Sequence, residues 1–224
     1  MGRAKDIVVK VIPAKIANDF VRKHHYSGKV VNNSKLHFGV FLDGRLHGVM
    51  SYGASINKKG TMKLVSGTKW NEFIELNRMA FDNVLPRNSE SRAISQSIKL
   101  IKKNAPHIKW IVSFADGCQC GDGTIYRASN FVLTDIRENA ALRIDPNTGE
   151  KIHVITAFHR KIKDFRQWEA ARGYQFRYIY FIDKSCRSRL TVPEIPFSKI
   201  DEIGAGMYKG EKITVAERHI DKHY

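Results

Sequence analysis

Residues 108–115 read Ile-Lys-Trp-Ile-Val-Ser-Phe-Ala, a nearly unbroken apolar run closed by Asp116-Gly117. A strand with one wet face alternates apolar and polar side chains, whereas a continuous run fits a strand covered on both faces of a sheet. Over Ser91–Asn104, Ile94, Ile98 and Ile101 recur at the spacing of an amphipathic helix. Lys102 and Lys103 suit the negative end of that helix's dipole, and Pro106 closes it. Before it, Glu72–Phe81 reads as a strand and Asp82–Asn88 as a turn-rich link. The centre of the chain is therefore a strand–helix–strand unit, which makes the fold α/β with a mixed sheet and flanking helices.

The flanks extend that sheet. Asp6–Ile12 is predicted as a strand, and Pro13 opens a helix that runs to about His24. On that helix Ile16, Phe20 and His24 share a face, with Ala17, Val21 and His25 beside it. Leu36–Leu42 and Leu46–Tyr52 flank Asp43-Gly44, a clear hairpin signal. A short helix is predicted over Thr124–Asn130, with a strand starting at Phe131–Thr134. Lys151–Phe158 and Phe176–Asp183 read as further strands, with a helix at Asp164–Arg172 between them. The last ~35 residues look extended, and 218–224 a loose tail. With no internal repeat or long linker, a single domain over 1–224 is expected.

Charge narrows the partner. Lys and Arg number 38 against 22 Asp and Glu, a formal net charge of +16. A neutral metabolite does not call for that excess; a polyanion does, because each neutralised phosphate releases condensed counterions. Anionic membrane is the competing polyanion, but no basic amphipathic anchor helix stands out and no run approaches ~18 apolar residues. Met1–Lys10 has no apolar signal core, so a cytoplasmic location is expected. The three cysteines, Cys118, Cys120 and Cys186, do not make a disulfide framework. Cys118-Gln-Cys120 is at most half of a zinc site, and reduced thiols in a turn are the simpler reading.

The element order around Glu72–Phe131 resembles the GNAT acyltransferases, in which two central parallel strands splay and the acyl donor lies in the gap. There the donor's pyrophosphate rests on the amino end of the intervening helix. Here that end reads Arg87-Asn88-Ser89-Glu90-Ser91-Arg92-Ala93, without the two glycines of the family's loop, which weighs against acetyl-coenzyme A specifically. A more specific resemblance rests on several motifs in order. His24-His25-Tyr26-Ser27-Gly28, Glu75-Leu76-Asn77-Arg78, Ser113-Phe114-Ala115-Asp116 and Tyr126-Arg127-Ala128-Ser129-Asn130-Phe131 resemble the phage Mom proteins; Tyr178–Lys184 and Pro193–Lys199 fit that family's carboxyl end.

That resemblance implies a GNAT-like enzyme that converts the exocyclic amine of adenine in double-stranded DNA to a carbamoylmethyl-amine, protecting phage DNA from host restriction. A plain acetyl group has no nitrogen to supply the product's amide. A glycyl group has the same atoms as the substituent, so transfer followed by rearrangement would balance. Glycyl-tRNA therefore ranks level with acetyl-coenzyme A as donor, which would make tRNA a second nucleic-acid partner. The family also carries an association with Fe2+. A conventional GNAT N-acetyltransferase acting on a protein or small molecule, and a non-catalytic DNA-binding protein, are the rival readings.

The candidate residues follow. Tyr126 is placed to protonate a leaving group, or else packs its helix on the sheet. Asp116 ends the buried strand, where it can take the amine proton, orient a base or hold a metal, or simply start the Gly117 turn. His25 and Tyr26 follow the first helix; His25 can serve as base or, with Asp116, as an iron ligand, whereas His24 reads as a core histidine. Arg78 can bind a phosphate or carboxylate, or pair with Glu75 or Glu72. Arg87, Ser89, Ser91 and Arg92 would meet the donor, or cap the helix; Ser113 can simply pack. Lys58-Lys59, Arg160-Lys161-Lys163 and Arg187-Arg189 are the densest basic clusters. Reaching an amine inside a duplex calls for base flipping and an aromatic or apolar clamp, for which Trp70, Tyr52 and Tyr174 are candidates.

Overall fold

A computed structural model describes residues 3–118, 121–139, 141–208 and 211–214. In chain order its first elements are β1 (Val8–Val11), α1 (Ala14–His24), β2 (Ser34–Leu42), β3 (Arg45–Gly53) and α2 (Lys58–Met62). The centre follows as β4 (Phe73–Phe81), α3 (Ser89–Asn104), β5 (Trp110–Asp116), α4 (Thr124–Ala128) and β6 (Val132–Glu138). Then come β7 (Leu142–Ile144), β8 (Lys151–His153), α5 (Val154–His159), β9 (Tyr174–Phe181) and α6 (Ser198–Glu202). The main sheet has seven strands in the order β1-β2-β3-β4-β5-β9-β6.

The pairs β1–β2, β2–β3 and β3–β4 are antiparallel, and β4–β5 is parallel. This is the mixed α/β sheet expected from the central strand–helix–strand unit. Asp43 and Gly44 both take positive φ, 52° and 76°, as a two-residue turn matched to strand twist requires. The decisive feature is where the parallel pair ends. Its register runs from Phe73↔Trp110 to Leu76↔Ser113 and stops, although β4 continues to Phe81 and β5 to Asp116. Beyond Leu76 and Ser113 the two strands part, leaving their edges available to other groups.

The chain gathers into two compact units: Met1–Phe114 with Thr124–Thr134 and Arg177–Ile195, and Ala115–Gly123 with Asp135–Phe176 and Pro196–Tyr224. In the first, Val65, Phe73, Trp110, Val112, Ile179 and Cys186 form one core cluster, with Phe73 and Trp110 stacked at 4.6 Å. A second cluster packs Ala17 and Val21 of α1 on Ile12, Val49 and Ala80. The seated stripe of α1 is thus Ala17 and Val21, while Ile16 stays 47% exposed. In the second unit β7 and β8 form an antiparallel hairpin, and Cys118, Leu142 and Ala171 make a small core.

Two sequence expectations fail in this unit. Lys151–Phe158 is not one strand: β8 stops at His153, whose imidazole accepts from the Ile155 N–H at 3.2 Å and starts α5. Local capping wins over the apparent alternation. Asp164–Arg172 is not a helix either. Asp164 sits at φ 58°, its carbonyl closes only a single turn to Gln167, and Ala170 bridges to Arg143. The last stretch is also not wholly extended, since α6 lies within it. The tail 218–224 and Cys120 lie outside the described residues. Among the described residues no helix is long and apolar enough to cross a membrane.

Candidate functional site

The site is built where β4 and β5 part. Ser113, the last residue of β5 paired with β4, is fully buried. Its Oγ lies 3.1 Å from the Leu76 carbonyl oxygen and 2.8 Å from Tyr126 Oη. One hydroxyl proton serves only one of these at a time. A carbonyl cannot donate, so with the proton on Leu76 the Ser113 oxygen accepts from Tyr126. Tyr126 comes from α4 and is 6% exposed, with Tyr178 and Phe131 rings at 5.0 and 5.3 Å. The phenol is held in an apolar box, with its polar end at the splay. Tyr52, offered above as a clamp for a flipped base, is wholly buried and bonded to Ser97 at 2.7 Å, so it serves the core instead. Burial raises its hydroxyl pKa, and the Tyr126 charge acts in the same direction.

The turn after α1 supplies the next group. His25 is half-buried, and its Nδ1 accepts the Ser27 backbone N–H at 3.1 Å and lies 2.8 Å from Ser27 Oγ. A backbone N–H can only donate, so Nδ1 carries no proton and the neutral ring bears it on Nε2. Burial, and then the Arg78 charge, lower the His25 pKa to about 4. In this arrangement His25 presents an N–H donor rather than a base. Tyr26 lies against it, ring centres 4.2 Å apart, and is half exposed. Arg78 neither pairs with Glu72 nor is free: its guanidinium donates to the Lys29 carbonyl at 3.1 Å and the Asn77 carbonyl at 2.9 Å, clipping this turn to β4.

Two residues of the motifs had no individual role in the sequence reading. Glu75 is half-buried on β4 opposite Val112, one pair before the splay. Burial raises its pKa, against hydrogen bonds from Ser55 and Asn77 and the Arg78 charge. Phe114 follows the last residue paired with β4 and is 46% exposed, although it lies within a central strand. The apolar run concealed it, because periodicity does not mark where pairing ends.

The amino end of α3 opens on a groove of about 400 Å³ lined by Lys5, Asn88, Ser91, Arg92, Ser95, Asn130 and Tyr180, with Ala4, Ile98, Ala128 and Ser129. Ser91 and Arg92 line it, and Arg92 also donates to the Lys5 carbonyl at 3.2 Å. Arg87 is exposed nearby in sequence but does not line the groove. Ser89 is buried, and its hydroxyl has no hydrogen-bond partner. Asn88, just before α3, holds φ at 70°, a conformation that Asn tolerates better than most non-glycine residues. Two cations, Lys5 and Arg92, beside the positive end of the α3 dipole suit a phosphate-bearing ligand.

In the second unit Asp116 accepts the Cys118 N–H at 2.9 Å, the turn-starting bond of an Asp-Gly corner. Burial, and then Asp116, push the Cys118 thiol up to about 12, so this buried cysteine is inert at neutral pH. Among the described residues no group of three or more His, Cys, Asp and Glu side chains gathers to hold a metal. With Nδ1 accepting a backbone N–H and Nε2 carrying the ring proton, His25 has no lone pair for a metal, so these residues do not fit an iron site. Of the basic clusters, Arg187 is bound by both Glu194 oxygens at 2.6 Å, and Arg189 donates to the Ser66 carbonyl. Lys58 covers the half-exposed Trp70 ring at 4.1 Å.

A family model described as the Mom protein family matches residues 6–199 of this chain. The methylcarbamoylase Mom of Escherichia phage Mu is 36% identical over 197 residues, covering 84% of this chain and 80% of its own length. Among solved structures, a GNAT acetyltransferase of Elizabethkingia anophelis with acetyl-CoA bound matches with a TM-score of 0.47 at 13% identity, covering 79% of this chain and 98% of that one. A Vibrio cholerae spermidine/spermine N-acetyltransferase in complex with manganese ions matches with a TM-score of 0.48 at 8% identity, covering 84% and 99%.

Proposed function

This chain belongs to the Mom protein family, and from that premise we propose that it is a DNA-modifying transferase that converts adenine in double-stranded DNA to its N6-carbamoylmethyl form. The observation that carries the reading is the 36% identity to a methylcarbamoylase. The buried Ser113–Tyr126 hydroxyl pair at the head of a splayed parallel strand pair supports it. The family's biology extends the reading to protection of phage DNA from host restriction, within the host cytoplasm.

In this reading the adenine amine attacks the acyl carbon of a glycyl donor at the splay and releases the carrier, giving an N6-glycyl amide whose rearrangement to the isomeric N6-carbamoylmethyl group gains and loses no atoms. The exposed Phe114 ring offers the base a stacking face. Glu75, one pair before the splay, or Asp116, at the end of β5, takes the amine proton. Tyr126 gives its proton to the leaving group. Ser113 then turns its own proton from the Leu76 carbonyl to the phenolate it leaves behind, a move of a single hydrogen between oxygens 3.1 and 2.8 Å away. His25 and Tyr26 direct the base, His25 through Nε2–H.

The donor is a phosphate-bearing acyl carrier held at the α3 groove by Lys5, Ser91 and Arg92, with Arg87 as an outer cation. Ser89 and Arg78 are then positioning residues, one under the helix end and one clipping the turn. Between acetyl-coenzyme A and glycyl-tRNA the atoms favour the second, since only a glycyl group brings the amide nitrogen. Mass analysis of nucleosides from plasmid DNA co-expressed with the protein tests the function. An adenosine heavier by one carbamoylmethyl group, lost in Tyr126→Phe and in whichever of Glu75→Gln and Asp116→Ala removes the base, is expected; unmodified DNA from donor-replete cells overturns it. Omitting charged tRNA from a purified reaction and still finding the product removes glycyl-tRNA.

A further inference from the structure

In the second unit α5 seats Val154 and Ala157 inward and turns Ile155 and Phe158 outward, one helical turn apart and 58% and 64% exposed. An exposed apolar pair on a six-residue helix contributes little to folding. The segment after it is strongly cationic: Arg160, Lys161, Lys163, Arg166 and Arg172 stand exposed against Asp164 and Glu169. Only Arg160 of these has an acidic partner among the described residues, Glu150 at 3.5 Å.

The end of α5 fixes this arrangement. Ile162 N–H bonds to the Ala157 carbonyl at 3.1 Å and Lys161 N–H to the Phe158 carbonyl at 3.0 Å, the paired closure of a Schellman cap. Its left-handed position, normally glycine, holds Lys161 at φ 54°. Lys161 thus carries its charge at a backbone position that glycine would occupy with less strain. The cap then fixes Lys161 beside Phe158.

We propose that α5 and residues 160–166 form a duplex-engaging element, with Phe158 as an apolar wedge between base steps and Lys161 and Lys163 on the adjacent phosphates. This rests on DNA being the substrate. Apolar wedges between base steps hold an unstacked duplex open, and flanking cations bind its backbone. Trp70 and Tyr52 suit this less, one already covered by Lys58 and the other buried.

The test uses the purified full chain and two duplexes of one sequence, intact and with a single abasic site. An abasic gap accepts a wedge without unstacking, so the wild type is expected to prefer it on the order of tenfold, and Phe158→Ala to lose that preference while binding intact duplex unchanged. Lys161→Gly is expected to raise the thermal midpoint yet lower the slope of log affinity against log salt by about 0.9, one phosphate contact. Equal abasic preference in wild type and Phe158→Ala overturns the wedge. An unchanged slope in Lys161→Gly, or weakened tRNA binding with DNA binding intact, overturns the element as a DNA surface. None of these readouts needs catalysis. Failure of the modification assay alone therefore counts against the proposed reaction, and failure here against the wedge.

Discussion

The splay in the first unit and the α5 segment in the second use polar and apolar groups in opposite ways. At the splay, the hydroxyls of Ser113 and Tyr126 are buried and bonded to each other, and the Arg78 and His25 nitrogens that hold the adjoining turn are bonded to the backbone. On α5 the apolar side chain is exposed, and Lys161 and Lys163 after it have no acidic partner among the described residues. Proton transfer needs groups whose positions are set before substrate arrives, because misplacement costs rate steeply. Gripping a polyelectrolyte needs charges free to exchange counterions for phosphates. A region that keeps its polar groups satisfied is suited to chemistry, and one that leaves its cations open is suited to binding.

The sharpest way to break that contrast is Tyr126→Phe. Removing one general acid costs about 10²–10⁴-fold in rate, so modification is expected to be lost while duplex affinity stays unchanged. A parallel loss of affinity would mean the splay also binds DNA and the division is false. Ser113→Ala comes next. It leaves the Leu76 carbonyl and the Tyr126 hydroxyl without their shared partner, so about 1–3 kcal/mol of stability and roughly tenfold in turnover are expected to go together. Thermal unfolding and single-turnover rates check both.

Smaller still is the difference between two basic clusters. Arg187→Gln removes a cation already neutralised by Glu194 and should leave the salt slope of DNA binding flat, whereas Lys163→Gln should lower it by about one contact. Equal effects would show that intramolecular pairing does not decide which cations meet DNA. The smallest effect is on His25, whose folded pKa of about 4 lies below its ordinary 6.5. Between those values the unfolded chain binds the extra proton, so this group's contribution to stability is full above pH 6.5 and falls as pH drops toward 4. An NMR titration of the His25 ring should show a midpoint near 4 that rises in Arg78→Gln. A midpoint near 6.5 in the wild type would restore His25 as a base.

Much of the frame was legible in the chain. The run at Ile108–Ala115, the helix before it and the Asp43-Gly44 turn identified the parallel pair and the hairpin, because each depends on neighbouring residues and general backbone preferences. The motifs around Tyr126 and Asp116 were legible as a resemblance. Lys151–Phe158 and Asp164–Arg172 were misread, since a histidine cap and a bridge to Arg143 outweighed weak local periodicity. Glu75 and Phe114 passed as parts of a strand, and Tyr52 passed as a surface ring.

The sequence by itself determined the charge, the mixed sheet and the family, all of which are written in residue order. Tertiary structure alone decided where β4 and β5 stop pairing, which phenol is buried against Ser113, which nitrogen of His25 holds the proton, and which cations remain open. Those properties depend on distances and burial between residues far apart in the chain, and the order of residues does not contain them until the backbone has closed on itself.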